Sequence, residues 1–398
     1  MNPSASGWIK KHLPYFIQFM ASHPMDEEEM YVQLRTKGFI YGTSIKTLCD
    51  EESEQLKWTE EEKTKINLFD ALTFTYFDCI ENGSATDCIK SMISFYSELN
   101  KNQGGPPIKL GSSPDANFRI LEKIIQERIQ TNETLFQKNF SHLITNALLF
   151  LDVLSFDHYL ISGEDPLPYA ICLEKNLTQI VWLALKQKEN KDDYNELLIK
   201  LFESSIRYNT TIKSDSLTIE DIQTNVVSQP LEQLYLLDLC ALSLYDDHQI
   251  DPHEEVFMNE VSDILRIPTT SKEASLKAVA AFISEHKEDI AYLNYSNPVK
   301  HFYNQTTRTV STLILRNKKR LIKEITQSKD LVILLGNSTV RDLSEGEKKV
   351  VKNQLLDICK TIPSLAIFLL PGGTILLPIL MKFIPKLLPS AFNENQVD

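Results

Sequence analysis

Between Leu244 and Ile267 the chain gathers side chains suited to holding a metal: Asp246, Asp247, His248, Asp251, His253, Glu254 and Glu255. Hard carboxylates beside one or two imidazoles suit Ca²⁺ or a transition ion. Setting Ile250 at the apolar eighth position of an EF-hand loop runs that loop from Ser243 to Glu254, with Asp247, Asp251 and Glu254 at ligand positions. Tyr245 then occupies a ligand position, and His248 stands where the sharp turn needs glycine, so the stretch fails as an EF-hand. A metal reading here rests on Asp247, His248, Asp251 and Glu254 in another arrangement. A structural reading covers the same residues. Asp251 is a good N-cap, Pro252 suits the first helical position, and Glu254 closes a capping box, which leaves only the two histidines without a role.

Other chemistry is sparse. The six cysteines, Cys49, Cys79, Cys88, Cys172, Cys240 and Cys359, include no CxxC pair and have no histidine at ligand spacing. They read as reduced, buried thiols in a cytoplasmic setting. None of GxxxxGK[ST], GxGxxG, HExxH or GxSxG occurs, so the sequence points to no enzyme and implies no cofactor. The segment Thr307 to Asp330 concentrates Arg308, Arg316, Lys318, Lys319, Arg320 and Lys323 among aliphatic residues. It lacks aromatic residues for base stacking and any surrounding helix-turn-helix or RNA-binding motif. Arg316, Lys318, Lys319, Arg320 and Lys323 therefore read as a solvated helix face or one that meets anionic headgroups, each cation being worth about 1 kcal/mol near such a surface.

The elements that must position these residues are helical. Ile120, Leu121, Ile124, Ile125 and Ile129 form one apolar stripe, while Ser141–Phe156 and Leu231–Asp247 are apolar on most sides, as core helices are. Strand patterns are scarce, with Val332–Gly336 the best and an ambiguous candidate, and only 12 glycines argue against a turn-rich design. The fold class expected is all-α, with multi-helix bundles. Asn102–Ala116, rich in glycine and proline, marks a break, and softer ones lie at Ile206–Pro230 and Tyr292–Thr307. The expected divisions are an N-terminal helical domain (1–101), a linker (102–116), a central helical domain (117–227), a further helical domain (228–297) and a basic helical region (298–398). Charge follows this layout. Residues 300–398 hold 15 Lys/Arg against 8 Asp/Glu, while residues 1–299 hold 26 against 46. A basic tail on an acidic body suits an anionic partner, either lipid or nucleic acid, or else neutralises the body's own field. The N-terminal stretch is cut by Lys10, Lys11, His12 and Pro14 and does not read as a signal peptide.

From Thr361 to Met381 there are 21 consecutive residues without a charge, the usual length for a membrane span. Lysines flank it on both sides, so charge sets no orientation. Pro371, Pro378 and Pro385 recur every seven residues and would share a helix face. Each inner proline frees a backbone carbonyl and costs about 3 kcal/mol in a water-exposed helix interior. Pro371-Gly372-Gly373 favours a turn. The tract is thus expected as a distorted single span, a re-entrant or surface-lying hairpin, or a hairpin packed on the helical body. Pro371, Gly372, Gly373, Pro378, Lys382, Pro385 and Pro389 set its geometry.

Two resemblances attach to these residues. The apolar helix ending in Leu-Tyr-Asp-Asp-His-Gln-Ile-Asp-Pro-His-Glu-Glu resembles the TerB-like helical domain over roughly residues 228–290, where the family usually has glycine at the place of His248. The segment Gln354–Phe392 resembles the LETM family, mitochondrial inner-membrane proteins with a leucine zipper and EF-hand. The ending shared with that family is carried by Leu376, Leu377, Pro378, Leu380, Lys382, Pro385, Leu388, Pro389, Ser390 and Phe392. The whole is similar to a bacterial group of LETM-related biofilm-associated proteins. The resemblance implies a non-enzymatic protein at the cytoplasmic side of the inner membrane, peripheral, re-entrant or single-pass, acting in ion or envelope homeostasis or in biofilm-associated growth. Thr374 stands where the family often has a carboxylate implicated in cation movement, and Asp398 falls where the family is expected to continue into its ribosome-binding-like domain. Two alternatives remain: a soluble adaptor binding ribosome or RNA through the basic region, and a metal-sensing TerB-like module. Protein partners and oligomeric state stay open.

Overall fold

The computed structural model describes residues 1–49, 58–102, 108–129, 146–188, 199, 218–222, 229–245, 251–286, 313–315, 317–341, 343–362 and 365. Among these no strand occurs, and the chain is all-α. The helices are α1 (Trp8–Ser22), α2 (Glu27–Thr36), α3 (Glu60–Cys79), α4 (Ala85–Asn102), α5 (Pro114–Arg128), α6 (Phe150–Ser162), α7 (Pro166–Gln187), α8 (Pro230–Leu244), α9 (Pro252–Ile264) and α10 (Thr269–His286). Three more complete the set: α11 (Lys318–Thr326), α12 (Lys329–Val340) and α13 (Glu345–Thr361).

Local chemistry accounts for most helix ends. Asp26 and Glu29, Thr59 and Glu62, and Ser344 and Glu347 each form a capping box, satisfying backbone N–H groups that the first turn leaves unpaired. Pro114, Pro166, Pro230 and Pro252 stand in the first turns of α5, α7, α8 and α9, where a missing N–H costs nothing. α2 ends in a Schellman motif: Phe39 N–H donates to Leu34 O at 3.0 Å and Gly38 N–H to Arg35 O at 2.9 Å. Gly38 sits at φ +84°, the left-handed conformation such an ending requires.

One core runs from Trp8 to Ile283 and draws on α1 through α10. The stripe on α5 buries Leu121, Ile124 and Ile125 in it, with Ile129 following the helix. α4 and α5 pack on each other and α5 also meets α1 and α3, so helices on both sides of the 102–116 break share a single core. The same core takes in α8 and the α9–α10 pair, across the division expected at 228.

Buried carboxylates tie this core together. Asp238 on α8 accepts hydrogen bonds from Tyr31 Oη on α2 at 2.6 Å, from Arg35 Nη1 at 3.3 Å, and from Ser275 Oγ on α10. Asp152 on α6 accepts from Arg128 Nε at 2.8 Å and Nη2 at 2.5 Å and from Tyr96 Oη on α4 at 2.9 Å. Glu122 on α5 accepts from the backbone of Gly7 and Ile9 and so closes the start of α1. Removing one partner from such a group leaves a buried charge or donor uncompensated, a loss of about 3–5 kcal/mol, so these ties fix which helices meet.

A second, smaller core joins α11, α12 and α13 through Leu313, Leu321, Ile325, Leu331, Leu335, Val351, Leu355 and Cys359. The stretch Val332–Gly336, the best strand candidate by sequence, lies inside α12. Ser328 caps that helix, and Leu331 and Leu335 are buried while Ile333 between them is exposed, a pattern that suits a helix and not a strand, where all three would share a face.

Candidate functional site

The basic cluster falls on α11, whose Leu321 and Ile325 are buried while Lys318, Lys319, Arg320 and Lys323 are exposed. The helix is amphipathic, with its cations on the solvent side. α13 adds exposed Lys348, Lys349, Lys352 and Lys360. α13 packs on both α11 and α12, so these two basic helices belong to one unit. Arg320 differs from its neighbours: its Nη2 donates to the backbone carbonyl of Thr361 at 2.5 Å, satisfying an unpaired group at the end of α13. It thus has a structural role beside any role toward an anionic surface. Arg341 holds Glu347 by two bonds of 2.6 and 2.9 Å, and this pair, with Ser344, lowers the Glu347 carboxyl to about 2. Arg316 lies outside the described residues.

α13 ends at Thr361, and Ile362 adopts an extended conformation at φ −118°, ψ 104°. The next residue is Pro363, whose ring disfavours helical backbone at the position before it. The uncharged run therefore does not continue α13 as one helix. Ile362 and Leu365, its first apolar members, are buried in the second core. Pro371, Gly372, Gly373, Pro378, Lys382, Pro385 and Pro389 lie outside the described residues. No helix among the described residues is long and apolar enough to cross a membrane.

At the acidic stretch the capping arrangement forms. Asp251 Oδ1 accepts from the N–H groups of His253 at 2.7 Å and Glu254 at 2.8 Å, and Glu254 Oε2 accepts from Asp251 N–H at 3.0 Å. Both carboxylates are thus engaged by backbone at the start of α9. Asp247 and His248 lie outside the described residues.

Two further groups of titratable residues have no counterpart in the sequence reading. A cavity of roughly 390 Å³ opens between α2, α3, α6, α7 and α8, with Glu27, Asp78, Asp157 and Glu232 on its wall beside Phe150 and Leu234. Partial burial, the nearby charges of Asp157 and Asp78, and a hydrogen bond to Asp78 raise the Glu27 carboxyl to about 7. Asp157 is also pushed up by burial, and Cys79 Sγ–H donates to its Oδ1 at 3.1 Å. Tyr169 Oη donates to Glu232. This wall can hold a proton near neutral pH. The second group is His12, Cys49 and Asp70, all buried, whose ligand-type atoms lie within 4.8 Å of one another. Four cysteines are buried as expected, but Cys79 and Cys172 are only partly so.

Comparison with known proteins bears on the C-terminal unit. A family model described as LETM1-like, RBD matches residues 343–398. The C-terminal segment is LETM1-like. The match begins within the basic unit, takes in all of α13 and continues to Asp398. The expectation that the family continues into a further domain beyond Asp398 is not tested by this match, which covers residues 343–398. No curated protein and no solved structure was found to match the chain.

Proposed function

We propose that this chain is a non-enzymatic, LETM-like membrane-associated protein, acting in inner-membrane ion or envelope homeostasis or in biofilm-associated growth. The observation that carries this reading is the LETM1-like match over residues 343–398, which coincides with a run of 21 uncharged residues flanked by lysines. The run supplies apolar area for the hydrocarbon region. Lys318, Lys319 and Lys323 on α11 and the lysines of α13 supply attraction to anionic headgroups. Attachment is taken to be at the cytoplasmic side, peripheral, re-entrant or single-pass, and the Pro371-Gly372-Gly373 turn signal suits the re-entrant form. A TerB-like module at 228–297 forms part of the helical body in this reading.

Flotation tests the proposal. The full chain should rise with vesicles containing phosphatidylglycerol and resist carbonate washing, and a chain lacking 362–392 should stay at the bottom of the gradient. A full chain that remains soluble and ignores anionic vesicles defeats the reading.

The RBD description of the matching family model favours one alternative, a soluble adaptor that binds the ribosome or RNA through the exposed lysines of α11 and α13. Such binding would weaken steeply with salt as counterions return to the phosphates. Co-sedimentation with ribosomes that survives deletion of 362–392 and falls with Lys318→Glu and Lys319→Glu would shift the assignment to this adaptor.

A further inference from the structure

The more deeply buried of the two titratable groups, His12, Cys49 and Asp70, serves neither the membrane reading nor the basic unit. His12 comes from α1, Asp70 from α3, and Cys49 from the segment after the α2 ending. His12 Nε2 lies 2.6 Å from Asp70 Oδ1, and Cys49 Sγ lies 3.8 Å from Asp70 Oδ2. All three are at least nine-tenths buried, at 2 %, 7 % and 0 % exposure. Trp8, Phe16 and Phe69 pack round the imidazole, and Tyr15, whose hydroxyl donates to Cys49 O at 2.8 Å, forms the outer side of the group.

We propose that His12, Cys49 and Asp70 are three ligands of a zinc-class metal ion held inside the helical body. The donor set is the first reason. Thiolate, imidazole and carboxylate together suit Zn²⁺ and its close substitute Co²⁺, whereas Ca²⁺ and Mg²⁺ take oxygen ligands. Charge is the second. A divalent ion between one thiolate, one carboxylate and one neutral imidazole gives a site of zero net charge, the arrangement that a desolvated interior tolerates best. Distance is the third. Ligand atoms about 2.0–2.3 Å from a tetrahedral zinc stand roughly 3.3–3.6 Å from one another. The sulfur and carboxylate already lie near that separation at 3.8 Å, and a small rotation of His12 or Asp70 opens their 2.6 Å contact to it. Binding releases the thiol proton to solvent and moves the proton held between His12 Nε2 and Asp70 Oδ1 to His12 Nδ1 or to solvent, and water takes the fourth position. The site ties the first helix to the third and to the turn after the second.

The test uses the full chain, stripped of metal by a chelator and titrated with Co²⁺ and Zn²⁺. Co²⁺ at one equivalent should give the near-ultraviolet thiolate-to-cobalt band and the visible bands of a tetrahedral site, and Zn²⁺ should displace it and raise the melting temperature. Cys49→Ser, which keeps the side-chain size, should abolish the near-ultraviolet band and the zinc-dependent rise in melting temperature. His12→Ala and Asp70→Asn should weaken Co²⁺ binding beyond the roughly 10–100-fold expected for loss of a merely supporting group. Circular dichroism of the metal-free variants shows whether each remains folded, and the result for Cys49→Ser decides alone if the other two do not. The proposal is overturned if the wild-type chain shows no thiolate band. It is equally overturned if the band and the zinc-dependent rise persist in Cys49→Ser, or if Cys79→Ser removes them instead.

Discussion

Glu27 shows how a position in three dimensions changes what a carboxylate does. At the first turn of α2 a glutamate serves the helix dipole from the surface. Here the fold also brings Asp78 and Asp157 to it, and burial with these two charges raises its carboxyl from 4.5 to about 7. The folded state therefore binds this proton more tightly than the unfolded chain does. The stability it contributes is complete below about pH 4.5 and is lost as the pH rises through about 7. Thermal melts from about pH 5 to about pH 8 should show a falling midpoint, and Glu27→Gln, neutral at every pH, should flatten that fall; equal slopes in the two proteins would refute it. None of this was legible in the sequence, because Asp78 and Asp157 approach from other helices. The same holds for His12, Cys49 and Asp70, whose shortest chain separation is 21 residues. The capping of α9 by Asp251 and Glu254, in contrast, was legible, since every residue it needs lies within four positions.

At the scale of elements, the joint between α2 and the segment after it depends on one glycine. A Cβ on Gly38 would stand 2.1 Å from Thr43 O and 2.7 Å from the Phe282 ring, in a left-handed backbone that disfavours any side chain. Gly38→Ala should therefore destabilise the body by on the order of 3 kcal/mol, combining backbone strain with overpacking. Gly163→Ala is the control. Gly163 is also left-handed, at φ +68°, but has nothing within 4 Å of the added carbon, so only about 1 kcal/mol of backbone cost applies. Urea melts that give equal losses for the two variants would show that the close approaches to Thr43 O and the Phe282 ring carry nothing. Helix type was readable wherever apolar residues recur three and four apart, as on α5. It was ambiguous at Val332–Gly336, where a short apolar run fits either period until the packing of Leu331 and Leu335 decides.

For the whole molecule, the two hydrophobic cores share no residue, and this has a consequence for unfolding. All three tryptophans, Trp8, Trp58 and Trp182, lie in the larger core. Urea unfolding followed by tryptophan fluorescence should report the larger core alone, while far-ultraviolet circular dichroism should show an additional transition from α11–α13. Coincident single transitions by both probes would mean that the cores unfold as one cooperative unit. The charge contrast between residues 1–299 and 300–398 changes sign near where the described residues of the larger core end and those of the smaller one begin. The glycine- and proline-rich stretch at 102–116 suggested a division that the core does not follow, since composition reports where a helix breaks and not whether its flanks pack together.

The bond from Tyr31 to Asp238 spans 207 residues, and Ser275 joins the same carboxylate later still. During synthesis at about 5–20 residues per second, α2 waits roughly 10–40 s before Asp238 is even made. Through that interval the apolar face of α2, with Met30, Tyr31 and Leu34, can meet α3 and Phe150 but lacks α8 and α10, which also pack on it in the finished fold. Until α8 and α10 have emerged, the uncovered part of that face is open to holdase chaperones and to misassembly, so the body closes only after the residues around Ser275 are made.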